Sequence, residues 1–176
     1  MKQLFWMLGA LFIGLSQAYA APKNYGVVTA GYNDFDFAQA SDSELAFGAA
    51  FGKQVHQQWY AELGYLNLFD YSDDTVNAEG EALYLAMLGK ASGGTGELFY
   101  KVGVARVDIA ADYPCDDAMV GQRCAVDNGI AAGLVGLGFD YFVSLKSMIR
   151  VEYVHLSGED NFSTNMLNVG FRYNFN

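Results

Sequence analysis

The sequence predicts an all-β protein, an eight-stranded antiparallel up-and-down transmembrane β-barrel. Three observations predict it. Alternation at period two recurs in segment after segment of the chain. Most of these segments are about nine to thirteen residues long, the length a tilted strand needs to cross a hydrocarbon core. The connections between them alternate between short turns and longer stretches rich in Asp. The composition agrees, with 15% aromatic residues and 20 Gly but only 2 Pro. After residue 20 no stretch approaches the roughly twenty consecutive apolar residues of a membrane-spanning helix.

Residues 1–20 read as a secretory signal. Lys2 precedes an apolar run from Leu4 to Leu15, and Ala18-Tyr19-Ala20 before Ala21 offers the small residues a signal peptidase needs. The expected mature domain is 21–176, about 156 residues and one domain long. Of the 10 Lys+Arg only Lys2 falls in the signal, so nine cations face 20 Asp+Glu. That balance argues against nucleic acid as a partner, because phosphate contacts need cations.

The strands are expected in order at about 24–32, 43–52, 58–70, 78–90, 97–109, 128–140, 146–158 and 165–175. Lys53 to Gln57, Ala91 to Gly96 and Tyr141 to Leu145 are the short connections. Asn33 to Asp42, Tyr71 to Asn77, Ala110 to Asp127 and Glu159 to Thr164 are the acidic ones. The faces separate cleanly in three strands. The second sets Leu45, Phe47, Ala49 and Phe51 against Glu44, Ala46, Gly48, Ala50 and Gly52. In the seventh, Ile149, Val151 and Tyr153 oppose Met148, Arg150 and Glu152. In the last, Leu167, Val169, Phe171, Tyr173 and Phe175 oppose Asn168, Gly170, Arg172 and Asn174. A soluble sandwich would carry long solvated side chains on its polar face. Here that face is small or singly charged, as the crowded interior of a narrow barrel requires. Strands three to six mix parities, with Glu81 beside Leu83, Leu85 and Met87, and Arg106 beside Val102 and Val104, so a bulge or rim position is expected there.

Seven charges are assigned to the interior: Glu44, Glu62, Glu81, Lys101, Arg150, Glu152 and Arg172. They are expected to pair, because an unpaired buried charge costs several kcal/mol. A packed salt-bridge core is the leading reading and an ion path the rival. Two aromatic girdles are expected. One holds Trp59, Tyr60, Phe99, Phe139, Tyr141, Phe142, Tyr173 and Phe175 at the short-turn end; the other holds Tyr32, Phe35, Phe37, Phe69, Tyr71, Tyr153 and Phe162 toward the loops.

The last hairpin, from Val151-Glu152-Tyr153-Val154 to Asn168-Val169-Gly170-Phe171-Arg172-Tyr173-Asn174-Phe175, resembles that of OmpA-like outer-membrane β-barrel domains. The resemblance implies a bacterial outer-membrane location, outer-membrane lipids and lipopolysaccharide as surroundings, and a Phe-bearing last strand read by the barrel assembly machinery. Asn176 follows Phe175, so the terminal aromatic is penultimate. No peptidoglycan-binding domain is expected beside the barrel, so cell-wall anchoring is not carried over from the resemblance.

Cys115 and Cys124 share one polar segment of an exported chain and are expected to form a loop disulfide contributing about 2–3 kcal/mol. No further Cys or His lies near them to complete a metal shell, and neither metal nor cofactor is expected. His155-Leu156-Ser157 looks like the His-x-Ser element of outer-membrane lipid A deacylases. The outward positions expected on the next strand, Leu167, Val169 and Phe171, supply no acid to orient the imidazole. His56 reads as a solvated turn residue. Asp34, Asp36, Asp42, Asp73, Asp74, Asp112, Asp116, Asp117, Asp127, Glu159 and Asp160 fall in the long connections against Arg123 alone. Such a rim would attract divalent cations or a basic extracellular partner. The expected function is a non-enzymatic envelope or surface-interaction (adhesion-like) role. The alternatives are a deacylase using His155 and Ser157, a narrow ion or small-solute channel, and a soluble lipocalin-like binder, which would need the two faces reversed.

Overall fold

The computed structural model describes residues 23–37, 40–72, 77–114, 123–159 and 162–175. Eight strands follow one another: β1 (Asn24–Phe37), β2 (Ala40–His56), β3 (Trp59–Ser72), β4 (Asn77–Ser92), β5 (Gly96–Pro114), β6 (Arg123–Phe142), β7 (Ser147–Gly158) and β8 (Ser163–Asn174). Each pairs antiparallel with the next, and β8 returns to β1, so the sheet closes into a barrel. Closure leaves no sheet edge in the wall, the condition a strand structure must meet in lipid.

The alternation sorts side chains as the last two strands foretell. Along β8, Asn168 and Arg172 are buried while Leu167, Val169, Phe171 and Tyr173 are exposed. Along β7, Arg150, Glu152 and Val154 point inward and Ile149, Val151 and Tyr153 outward. The exposed apolar band continues around the wall through Val28, Phe47, Leu63, Leu85, Val102 and Leu137. A greasy exterior around a charged interior is the inverse of a soluble barrel.

Several expectations are corrected. The strands outrun their predicted ends: the ladder of β5 with β6 reaches Pro114 opposite Arg123, and β1 meets β2 as far as Phe37 opposite Ala40. Much of the polar sequence read as loop is therefore paired hairpin, since backbone pairing continues after the side chains stop serving lipid. At about 3.3 Å per residue β5 and β6 each run about 60 Å, against the ten or so residues a crossing takes. The β6–β7 ladder stops at Ala132 opposite Gly158, so the β5–β6 hairpin stands well above its β7 neighbour.

The expected irregularity lies in β3, where the register to β4 shifts between Asn67 and Phe69 and leaves Leu68 unpaired. The extra residue puts Leu68 and Phe69 both inside. It does not explain Glu81 or Arg106, which stand on the outward parity. Four expected girdle residues, Tyr60, Phe69, Phe99 and Phe162, are instead buried in the interior. Trp59, Tyr100, Phe139, Tyr141, Tyr173 and Phe175 do ring the outside at the short-turn end, with Trp59 edge-on to Tyr100 at 5.8 Å. Cys115 lies outside the described residues and only the backbone of Cys124 is described, opposite Tyr113, so the expected disulfide falls beyond the description.

Candidate functional site

Inward parity on neighbouring strands stacks charged side chains in the half of the barrel nearer the short turns. Among the described residues four carboxylates, Glu62, Glu97, Asp140 and Glu152, and four cations, Lys90, Lys101, Arg150 and Arg172, are buried there. The interior thus carries no net charge from these groups, which is what a low-dielectric enclosure demands.

Two carboxylates organise the network. Glu62 on β3 takes Lys101 Nζ at 2.7 Å and Arg150 Nη1 at 3.0 Å. It also accepts the hydroxyls of Tyr25 at 2.6 Å and Tyr84 at 2.9 Å. These four contacts fill the lone-pair directions of one carboxylate. Asp140 on β6 is forked by Arg150, from Nε to Oδ1 at 2.7 Å and from Nη2 to Oδ2 at 3.0 Å. Its Oδ2 also meets Lys90 at 3.1 Å and Arg172 at 2.5 Å. Arg150 therefore joins the two centres. Glu152 completes Lys101 at 3.1 Å, and Glu97 lies 2.8 Å from Arg172 and 3.5 Å from Lys90.

Aromatic rings fill the space between the charges. The Arg172 guanidinium lies 4.1 Å from the centre of the Tyr25 ring, and that of Arg150 4.4 Å from Phe99. Glycine makes room for the tyrosines. A Cβ on Gly52 would stand 2.1 Å from the Tyr25 ring, and one on Gly64 2.4 Å from that of Tyr84. Each tyrosine lies against the glycine facing it on the adjacent strand and aims its hydroxyl at Glu62.

The half of the interior toward the long hairpins is filled differently. Leu66, Leu68, Phe69, Val107, Ile109, Ile130, Leu156, Phe162 and Met166 pack there. Asn33 donates to the Leu68 carbonyl at 3.0 Å and accepts from the Thr164 hydroxyl. A cavity of about 520 Å³ opens at the short-turn mouth, bounded by Glu97, Met148, Asn174 and the turn from Phe142 to Leu145. The ion network and the apolar packing lie between it and the far end.

Of the seven expected interior charges, the structure brings together Glu62, Lys101, Arg150, Glu152 and Arg172. Glu44 pairs through its backbone with Asn33, and its side chain lies outside the description. Glu81 is a correction: it is exposed on the outward face, paired in register with Asp108. Its strand has already left the apolar band there, so a charge meets water rather than lipid. Sequence reasoning missed Asp140, Lys90 and Glu97. The signal existed, since Lys90 shares parity with Leu88, and Asp140 with Gly138.

His155 stands half-buried on the outside of β7, with Nδ1 2.9 Å from Asn165 Oδ1. Tyr153 donates to the same oxygen at 2.7 Å. Among the described residues no hydrogen bond joins His155 to Ser157. His155's oriented partner is an amide, where a triad needs a carboxylate.

A closed antiparallel barrel with a lipid-facing apolar belt, a charged and packed interior, short turns at one end and tall hairpins at the other defines a small outer-membrane β-barrel protein of the bacterial envelope. Solved structures carry the same fold. Neisserial surface protein A (NspA) superposes with a TM-score of 0.72 at 10% identity, covering 88% of this chain and 99% of its own. Ail, the attachment invasion locus protein of Yersinia pestis, gives 0.66 at 9% identity over 89% and 100%. The N-terminal barrel of Pseudomonas aeruginosa OprF gives 0.58 at 15% identity over 88% and 100%. At these identities the likeness is one of fold. No family model matches the chain, and no curated protein sequence matches it.

Proposed function

We propose that this protein is a closed, non-enzymatic barrel of the outer membrane that contributes to envelope structure and presents its acidic outer hairpins to a partner at the cell surface. The single observation carrying the reading is the interior: a charge-balanced ion network backed by apolar packing leaves the hairpins as the surface on offer. Among the described residues the β5–β6 ladder is the longest of the four outer hairpins, and the segment from β5 to β6 carries Asp108, Asp112, Asp116, Asp117 and Asp127. Ail, a barrel of the same fold, has been solved with the heparin analogue sucrose octasulfate. An acidic rim repels such polyanions, so the partner proposed here is basic or is bridged through divalent cations. On this reading residues 1–20 direct export and are removed. The Phe-bearing last strand engages the assembly machinery, lipopolysaccharide surrounds the wall, and a Cys115–Cys124 disulfide braces the tall hairpin.

The test joins two measurements. Protein reconstituted in planar bilayers is expected to give no steady conductance. Cells displaying it are expected to bind a basic surface such as polylysine-coated glass, and to lose that binding when Asp112, Asp116, Asp117 and Asp127 are replaced by Asn. A steady ion-selective current, or binding indifferent to the four replacements, would overturn the reading.

A further inference from the structure

Tyr153, His155 and Asn165 form an outward hydrogen-bonded cluster on β7 and β8, separate from the interior ion network. Antiparallel register sets Asp34 of β1, Asn165 of β8 and His155 of β7 in one row across the wall. The row toward the short turns is Tyr32, Leu167 and Tyr153, and on the hairpin side Ser163 faces Ser157. Tyr32 and Tyr153 are exposed.

Hydrogen bonding fixes the chemistry of the row. Because Tyr153 donates to Asn165 Oδ1, the atom His155 also meets there is an acceptor, so Nδ1 carries the hydrogen. In the neutral ring Nε2 is then left as an acceptor, and Asn165 Nδ2 as a pair of donors. Beside Ser157 on β6 stands Gly133, where an added Cβ would meet nothing nearer than the Ser157 carbonyl at 3.7 Å. The cluster is thus open on that flank, a shelf with Tyr153 at its foot.

Its height places it close below the lipid headgroups. From the girdle level of Ser147 and Tyr173 to His155 and Asn165 the wall climbs about 26 Å along the strand, or about 20 Å along the membrane normal after a tilt of about 40°. The apolar band of such barrels is about 25 Å tall, so the row sits about 5 Å below its outer boundary, within a side chain's reach of the headgroups.

We infer that Asp34, Asn165, His155 and Ser157 form a binding shelf for the sugar headgroup of an outer-leaflet glycolipid. A carboxylate, an amide, an imidazole acceptor and hydroxyls beside exposed tyrosine rings offer donors and acceptors together, which sugar hydroxyls satisfy. Asp34 disfavours a phosphate in the same place. The inference goes beyond the proposed surface role and needs only the orientation of the barrel; it stands or falls separately from any partner of the hairpins.

The test uses the full barrel in lipid nanodiscs, labelled at histidine. The chain has 2 His, so His56→Gln leaves the His155 ring as the one reporter. Digalactosyl diacylglycerol, which has a sugar headgroup and no phosphate, is expected to shift the His155 ring signals in a saturable manner. Phosphatidylglycerol and free maltose at equal concentration are expected not to. Asn165→Leu removes hydrogen-bonding groups on both sides of the row and should weaken the response roughly tenfold, the loss of one to two neutral hydrogen bonds. Should that variant fail to fold, judged by heat-modified electrophoretic mobility, Asp34→Asn at an exposed site replaces it and should weaken the response severalfold. Equal shifts with phosphatidylglycerol would refute sugar recognition. Equal shifts with maltose would refute a lipid source, and an unweakened response in the folded variant would refute the site.

Discussion

Arg150 and Asp140 face each other across the β6–β7 ladder and are joined by two parallel hydrogen bonds of 2.7 and 3.0 Å. Adjacent-strand register alone brings the pair together, and the same guanidinium reaches Glu62 on the opposite side of the lumen at 3.0 Å. One side chain therefore ties three strands.

That arrangement predicts strong coupling. Asp140→Asn leaves Arg150, Arg172 and Lys90 short of their shared carboxylate and should destabilise the barrel by about 3–5 kcal/mol, as breaking one partner of a buried pair does. Replacing Asp140 and Arg150 together by apolar residues of similar volume should cost much less than the sum of the single changes. Urea unfolding in lipid vesicles, followed by gel mobility, measures both. Additive losses would show that the fork contributes no pairwise energy.

The outer apolar packing predicts a second behaviour. Arg172→Ala removes the contacts to Glu97 and Asp140, and stability should fall. Conductance should stay at baseline, because Leu68, Phe69, Leu156 and Met166 still fill the other half of the lumen. Single-channel recording decides the point: a sharp, ion-selective rise would make the interior charges a gate.

How much of this was legible depended on which rule governed each residue. Along β7 and β8 one parity holds from end to end, and Arg150, Glu152 and Arg172 were placed by counting alone. Glu81 failed because it was assigned to the interior although it shares parity with Leu83, Leu85 and Met87, which face outward, and β4 at that point has risen past the lipid, where an outward carboxylate meets water. Tyr60 and Phe99 failed in the opposite sense. Aromatic character suggested a girdle, while shared parity with Glu62 and Lys101 put them inside. Phe69 follows neither rule, because the bulge at Leu68 resets the count. Asp140, Lys90 and Glu97 were lost at the predicted strand ends, where turn and strand cannot be told apart without the pairing partner. Asn165 as the partner of His155 needed the register between two strands, which no single-strand pattern carries.

The glycine and tyrosine pairs predict a specific defect. Gly64→Ala puts a methyl where the Tyr84 ring lies, 2.4 Å from a ring carbon, and the ring must swing off Glu62. Overpacking of this kind costs about 1–3 kcal/mol. Pairing the change with Tyr84→Leu, which removes the ring, should recover part of the loss. If the double variant is instead destabilised by the full sum, the clash is absorbed elsewhere and the tyrosine is not held by the glycine.

The outward face supplies the last prediction. Val169 is 55% exposed and its neighbour Asn168 2%, and Val169 sits in the middle of the apolar run of β8 between Leu167 and Phe171. Val169→Arg should destabilise the barrel by about 2–4 kcal/mol if this position lies near the midplane, since the guanidinium would displace hydrocarbon contacts. The register itself is tested with spin labels at the two sites in bilayers. The label at 169 should be relaxed strongly by oxygen, which concentrates in the acyl chains, and the label at 168 weakly. Equal relaxation at both would mean that β8 does not alternate between lipid and lumen. The assignment of Arg172 and Asn168 to the interior would then have to be given up with it.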